Sequence, residues 1–149
     1  MTEIKKLTAE DLALMPAIAA LEAQCFSDPW SERALGESLM TPSYTFFAAL
    51  ENGTLVGYVG AYTVLDEMQI TNVAVSPDAR RQGIGHKLIG ALTEEAKTHS
   101  LASVTLEVRA SNLPARALYE KHGFAVVGTR KNFYTHPTED GVLMTLYLP

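Results

Sequence analysis

The stretch Asn72-Val73-Ala74-Val75-Ser76-Pro77-Asp78-Ala79-Arg80-Arg81-Gln82-Gly83-Ile84-Gly85 decides the fold. It opens as an apolar strand, breaks at Ser76-Pro77 and closes in a glycine-bearing loop. Ile84, Leu88, Leu92 and Ala96 then recur every four residues, which predicts an amphipathic helix to about His99. Glycines let backbone come close to a ligand. The first N–H groups of a helix lack internal partners, and the helix dipole favours negative charge there. Arg80, Arg81 and Lys87 add positive charge. A pyrophosphate suits such a loop. The glycines alone also suit a tight strand-to-helix turn with solvated arginines. Two common phosphate motifs are excluded. No Gly-Lys-Ser/Thr ending is present, and Leu88 stands where the dinucleotide fingerprint needs a third glycine.

Upstream, Tyr44 to Leu50 is aromatic and apolar, Glu51-Asn52-Gly53 is a hairpin turn, and Leu55 to Val64 follows. Asp66-Glu67 turns into Met68 to Val75. Three strands with short turns predict an antiparallel meander. Before them, Lys5-Lys6-Leu7 reads as a first strand and Thr8 as an N-cap with Asp11 as its acidic partner. Leu12, Met15, Ile18 and Leu21 mark one buried helix face. Pro29-Trp30-Ser31 breaks the chain, and Ser31 caps a short helix carrying Leu35 and Leu39. Downstream, Val104, Leu106 and Val108 alternate with polar residues as a strand. Ser111-Asn112 caps another helix, with Pro114 in its first turn and Gly123 beyond its end. Phe124 to Thr129 and Val142 to Leu148 are the last strands. The order is α/β, one mixed sheet in one domain over residues 1–149.

Composition agrees. The 149 residues are 47% hydrophobic and 19% charged, enough for one real core without staples. Twelve Lys and Arg against seventeen Asp and Glu give −5, which argues against direct nucleic-acid binding. Cys25 is the one cysteine, so no internal disulfide forms, and a lone thiol suits a reducing cytoplasm. No signal peptide and no membrane span are read from the chain. His86, His99, His122 and His136 lack metal-ligand spacing, so no metal is expected.

Arg80, Gly83 and Gly85, preceded by Asn72 to Pro77, resemble the acetyl-CoA pyrophosphate loop of the GCN5-related N-acetyltransferases (GNAT superfamily). Leu106-Glu107-Val108-Arg109-Ala110-Ser111-Asn112 and Ala117-Leu118-Tyr119-Glu120-Lys121-His122-Gly123-Phe124 resemble that family's fifth strand, following helix and sixth strand. The resemblance covers nearly the whole chain, with its core from Met68 to Phe124. Phe26-Ser27-Asp28-Pro29-Trp30-Ser31, Leu65-Asp66-Glu67 and Lys131-Asn132-Phe133-Tyr134 are similar to the RimI-type branch, the ribosomal-protein alanine N-acetyltransferases. Glu139-Asp140-Gly141 departs from that branch's Glu-Asp-Ala, and nothing catalytic is expected to depend on it.

The resemblance implies a GNAT fold, a mostly antiparallel twisted sheet flanked by helices and split between strands four and five. It implies acetyl-CoA as co-substrate, held by the backbone of Val73, Ala74 and Val75, by Arg80, Arg81, Gln82, Gly83, Ile84, Gly85 and His86, and by Asn112 and Tyr119. It implies Glu107 as the base and Tyr119 as the acid. Their own chemistry permits this: a carboxylate can take the proton of an α-ammonium, and a phenol can give one to a departing thiolate. On spacing alone Glu107 also reads as a surface carboxylate or a partner for Arg109, and Tyr119 as an aromatic helix anchor. Trp30 reads as core or lid packing. The implied acceptor is a protein N-terminal amine, foremost the N-terminal alanine of ribosomal protein bS18. A small amine or a lysine side chain is the alternative acceptor, and a non-catalytic acyl-CoA sensor is the alternative class.

Overall fold

Phe46-Phe47-Ala48-Ala49 is an unbroken apolar run, and all four side chains are buried. A strand with such a run needs cover on both faces of its sheet. Phe46 and Ala48 join one apolar cluster with Ile18, Leu21 and Leu35. Phe47 and Ala49 join another with Ile84, Leu88 and Leu92. The sheet is therefore the middle of three layers. The computed structural model describes residues 2–80 and 82–149.

The strands are β1 (Thr2–Lys6), β2 (Tyr44–Glu51), β3 (Thr54–Val64), β4 (Glu67–Val75), β5 (Ser103–Arg109), β6 (Ala125–Tyr134) and β7 (Glu139–Tyr147). The helices are α1 (Met15–Cys25), α2 (Glu32–Leu39), α3 (Ile84–Thr98) and α4 (Leu113–Lys121). The sheet order is β1-β2-β3-β4-β5-β7-β6, and only β4 and β5 run parallel. These two pair at Glu67–Gln69 with Ser103–Thr105 and then separate. The expected meander and the expected split between strands four and five are both present.

Four boundaries differ from the sequence reading, one of them the start of β7, which lies at Glu139 and not at Val142. The first strand lies earlier, and Leu7 follows it as a buried residue still bonded to Phe46 O at 2.8 Å. Leu12 is 45% exposed and sits on a 3-10 turn, Ala9–Leu14, outside the α-helix. The Thr8–Asp11 capping box does form there, but Asp11 is kinked (φ −97°, ψ 17°), and the α-helix starts afresh with Pro16 in its first turn. Finally, β6 continues past Thr129 to Tyr134. Its polar, exposed residues hide it from hydrophobic patterning because it is a sheet edge. A register shift between Arg130 and Tyr134 bends it, with Asn132 at φ 54° and its N–H on Asp140 Oδ1 at 2.9 Å.

Candidate active site

Where β4 and β5 part, a cleft of about 910 Å³ opens. Thr71 to Val75 line one bank and Glu107 to Arg109 the other. The end of α1 with the α1–α2 loop (Cys25, Phe26, Ser27, Asp28, Trp30) and the end of β6 with the turn into β7 (Phe133 to Pro137) also line it. Asn112, Ala115, Leu118 and Tyr119 reach in from α4 and its cap.

The β4 bank ends at the glycine loop. Val73, Ala74 and Val75 pair with β3 at Val59, Tyr58 and Gly57, while their edge towards β5 has no strand beside it. Backbone groups that no strand pairs there can bond a ligand, although Val75 O already accepts from Arg80 Nε at 3.2 Å and Cys25 Sγ at 3.6 Å. Gly83 is the N-cap of α3 at φ 76°, and a Cβ there would meet nothing within 4 Å. The left-handed conformation and the open space together make a cradle in front of the helix N-terminus. Gly85 does different work, since a Cβ on it would stand 3.1 Å from Leu118 Cδ2, so it lets α3 close on α4. Ile84 is buried in the core and can offer a ligand only its backbone. Gln82 lies in the loop just before Gly83. Arg80 folds back, Nε to Val75 O at 3.2 Å and Nη2 to Cys25 Sγ at 3.5 Å. The ring of His86 meets that of His122 at 3.1 Å between nitrogens. Burial lowers the His122 pKa, and His86 lowers it further. Arg81 lies outside the described residues.

On the opposite bank, Glu107 leaves β5 on the face shared with Arg109 and opposite Leu106 and Val108. Arg109 is not its partner. That guanidinium donates to Pro137 O at 2.8 Å and Thr135 O at 2.9 Å, pairs with Glu139 at 3.4 Å, and lies 4.7 Å from the Tyr134 ring centroid. It thereby fixes the β6–β7 turn. Glu139 also accepts the Ser111 N–H at 2.6 Å, and these contacts hold its carboxyl below the usual range. Glu107 instead faces Arg130, Oε1 to Nη1 at 3.6 Å, while Oε2 is buried without a hydrogen-bond partner. Gly141 backs directly on that oxygen. A Cβ there would stand 3.1 Å from Oε2 and 3.1 Å from Phe133 Cδ2, so a position expected to be indifferent borders the carboxylate.

Tyr119 is held from below. Asn112 caps α4 by accepting the Ala115 N–H at 3.3 Å. At the other end Gly123, φ 93°, closes a Schellman motif, with Phe124 N on Tyr119 O and Gly123 N on Glu120 O. The Tyr119 ring is buried near Phe124, with centroids 5.9 Å apart. Burial pushes its phenol up to about 12, with Tyr134 adding to the shift. Tyr134 is itself raised, by burial first and then by Glu107. The cleft thus holds a carboxylate and a protonated phenol on different elements, with Tyr134 electrostatically coupled to both.

Besides Gly141, two features escape the sequence reading. One is Glu22, fully buried on α1, where Asn72 Nδ2 (2.8 Å), the Trp30 N–H (2.9 Å) and the Tyr58 hydroxyl all donate to its carboxylate. Its signal is a carboxylate four residues after Ile18, on the apolar helix face. The other is Arg130, whose contact depends on which strand lies between β5 and β6. Among the described residues no group of three His, Cys, Asp or Glu is placed to hold a metal. Among the described residues no helix is long and apolar enough to cross a membrane.

The sequence model of the acetyltransferase (GNAT) family matches residues 15–124. The chain is 37% identical over 148 residues to the [ribosomal protein bS18]-alanine N-acetyltransferase of Escherichia coli (strain K12), covering 98% of this chain and 97% of that protein. It is 37% identical over 131 residues to the protein of that name from Haemophilus influenzae, covering 86% and 88%. The crystal structure of the ribosomal-protein-S18-alanine N-acetyltransferase from Escherichia coli is similar at a TM-score of 0.88, covering 99% of this chain and 94% of that one.

Proposed function

Because the chain belongs to the GNAT acetyltransferase family, we propose that it works as one domain in the cytoplasm and acetylates the N-terminal alanine of ribosomal protein bS18. The observation that carries the acceptor is the 37% identity along 98% of the chain to an enzyme named for that reaction.

Acetyl-CoA fits the residues present. The free edge at Val73 to Val75 suits an amide-bearing arm, and the open cradle at Gly83 suits a pyrophosphate facing the α3 N-terminus. Gln82, Gly83, Ile84, Gly85 and His86 offer backbone N–H groups there, and Arg80 offers charge, while Arg81, which lies outside the described residues, remains a proposal from the family resemblance alone. Bound in this way, acetyl-CoA supplies an activated acyl thioester.

The protein's own groups manage protons. An α-amine has a free pKa near 7.7–8.0, so much of it is an unreactive ammonium at neutral pH. Glu107 takes that proton, directly or through water. Tyr119, raised to about 12, stays protonated and donates a hydrogen bond to the sulfur as charge develops there. Complete proton transfer to a thiolate of ordinary pKa, about 8.5, is uphill by roughly 5 kcal/mol, so the donated hydrogen bond is the larger part of its role.

The test is the intact mass of bS18 from cells with and without this protein. The acetyl group should be present in the first and missing in the second. An acetylated bS18 in both overturns the assignment.

A further inference from the structure

We propose that Glu22 is a positioning residue for the acceptor, its buried carboxylate holding the α1–α2 loop as the wall of the acceptor half of the cleft. This rests on the proposed function: with acetyl-CoA at the Val73–Val75 edge and the Gly83 cradle, the part of the cleft lined by Phe26, Asp28 and Trp30 is left for the peptide. A carboxylate with no exposed surface is costly unless its oxygens are satisfied. Here the donors are neutral and come from three directions. Tyr58 reaches from β3, Asn72 from β4, and the Trp30 N–H from the loop itself.

The loop is tied down at both ends by this one residue. The Phe26 N–H donates to the Glu22 carbonyl at 2.9 Å, and the Trp30 N–H donates to its side chain at 2.9 Å. Between them Ser27, Asp28 and Pro29 are exposed. Asn72 directly precedes Val73, so the same carboxylate fixes the loop against the strand whose free edge faces the cofactor. A leucine would fill the space but give the loop no directional anchor. Loss of Glu22 should therefore move the acceptor wall and leave the cofactor strand, paired along β3, where it is.

The experiment compares Glu22→Leu, Glu22→Asp and Glu22→Gln in the full chain. It measures acceptor KM, kcat, acetyl-CoA affinity by calorimetry, and the emission of Trp30, the one tryptophan. Leu and Asp should raise KM about tenfold, the equivalent of one lost hydrogen bond in the loop. Acetyl-CoA affinity should stay within about twofold, and Trp30 emission should shift to the red. Gln, which still accepts the Trp30 N–H, should restore KM to within about threefold of wild type. Unchanged KM in Leu and Asp, or KM and cofactor affinity weakening in step, overturns the proposal. Should Glu22→Leu not fold, Glu22→Asp carries the same decision. Hydrogen exchange on the wild-type protein adds a check independent of the acceptor. The Trp30 amide should exchange far more slowly than those of Ser27 and Asp28, and equal exchange overturns the anchor. If the wild type acetylates no N-terminal peptide, the acceptor reading fails, while exchange and emission still report on the Glu22 anchor.

Discussion

Arg130 reaches Glu107 across an intervening strand. Arg130 lies on β6 and Glu107 on β5, with β7 between them, yet Nη1 and Oε1 are 3.6 Å apart. The reach passes over Gly141, which pairs with Arg109 on one side and Arg130 on the other. A branched side chain at Gly141 must displace the carboxylate, the Phe133 ring or both. We expect Gly141→Val to lower kcat at least tenfold, roughly the cost of a misplaced catalytic group, while acetyl-CoA affinity stays within about twofold. Steady-state kinetics beside calorimetry checks this. A fall in both quantities indicates a general loss of structure.

Glu107→Gln should bind acetyl-CoA normally and lose about 10²–10⁴-fold in turnover, the usual size of a general-base effect. Its rate should recover in part above pH 8, where the amine loses its proton unaided. A pH–rate profile of both proteins decides. A profile parallel to wild type at every pH removes Glu107 from the base role.

Tyr119→Phe should also slow turnover, and high pH should not rescue it, because the missing group is a donor. The same residue has a readout in stability. Its phenol is near 12 in the folded protein against an ordinary 10, so between those values the folded state keeps a proton that the unfolded chain releases. Its contribution is fully present below pH 10 and is lost as pH rises towards 12, a change of ~3 kcal/mol. Tyr58, raised by burial and by Glu22, acts with the same sign. Denaturant unfolding between pH 9 and 12 should show a shallower decline for Tyr119→Phe than for wild type.

The parts legible in the sequence are those set by short-range pattern. The Thr8–Asp11 box, the Asn52-Gly53 turn, the Gly123 C-cap and the four-residue repeat of α3 each follow from neighbours within a few positions. The strand split came from the family resemblance, because no local pattern says where β4 and β5 stop pairing. Glu22 stayed hidden because its partners lie 8, 36 and 50 residues away. Gly141 stayed hidden for a similar reason: its meaning depends on standing between two strands, not on its own neighbours. Leu12 misled because the three-residue period crosses a kink that only the backbone angles reveal.

Gly83→Val tests the cradle. A β-branched residue is strained at φ 76°, and its side chain fills the open space in front of α3. We expect acetyl-CoA affinity to fall at least tenfold, about 1.4 kcal/mol, with the thermal unfolding midpoint changed by only a few degrees. Wild-type affinity by calorimetry places the pyrophosphate elsewhere.

Thiol release on four matched peptides tests the central claim most directly. The peptides begin with Ala, Ser, Leu, or an Nα-blocked Ala with a lysine added. The acidic chain, at −5, favours any cationic peptide at long range, so discrimination has to come from close fit at the first residue. One methylene in such a pocket is worth about 1–3 kcal/mol. We expect the free Ala peptide to turn over well, Leu to be slower by at least tenfold in kcat/KM, and the blocked peptide to give no release above background. Equal rates on the free Ala peptide and the blocked, lysine-containing one contradict N-terminal acetylation and assign the cleft to a side-chain amine.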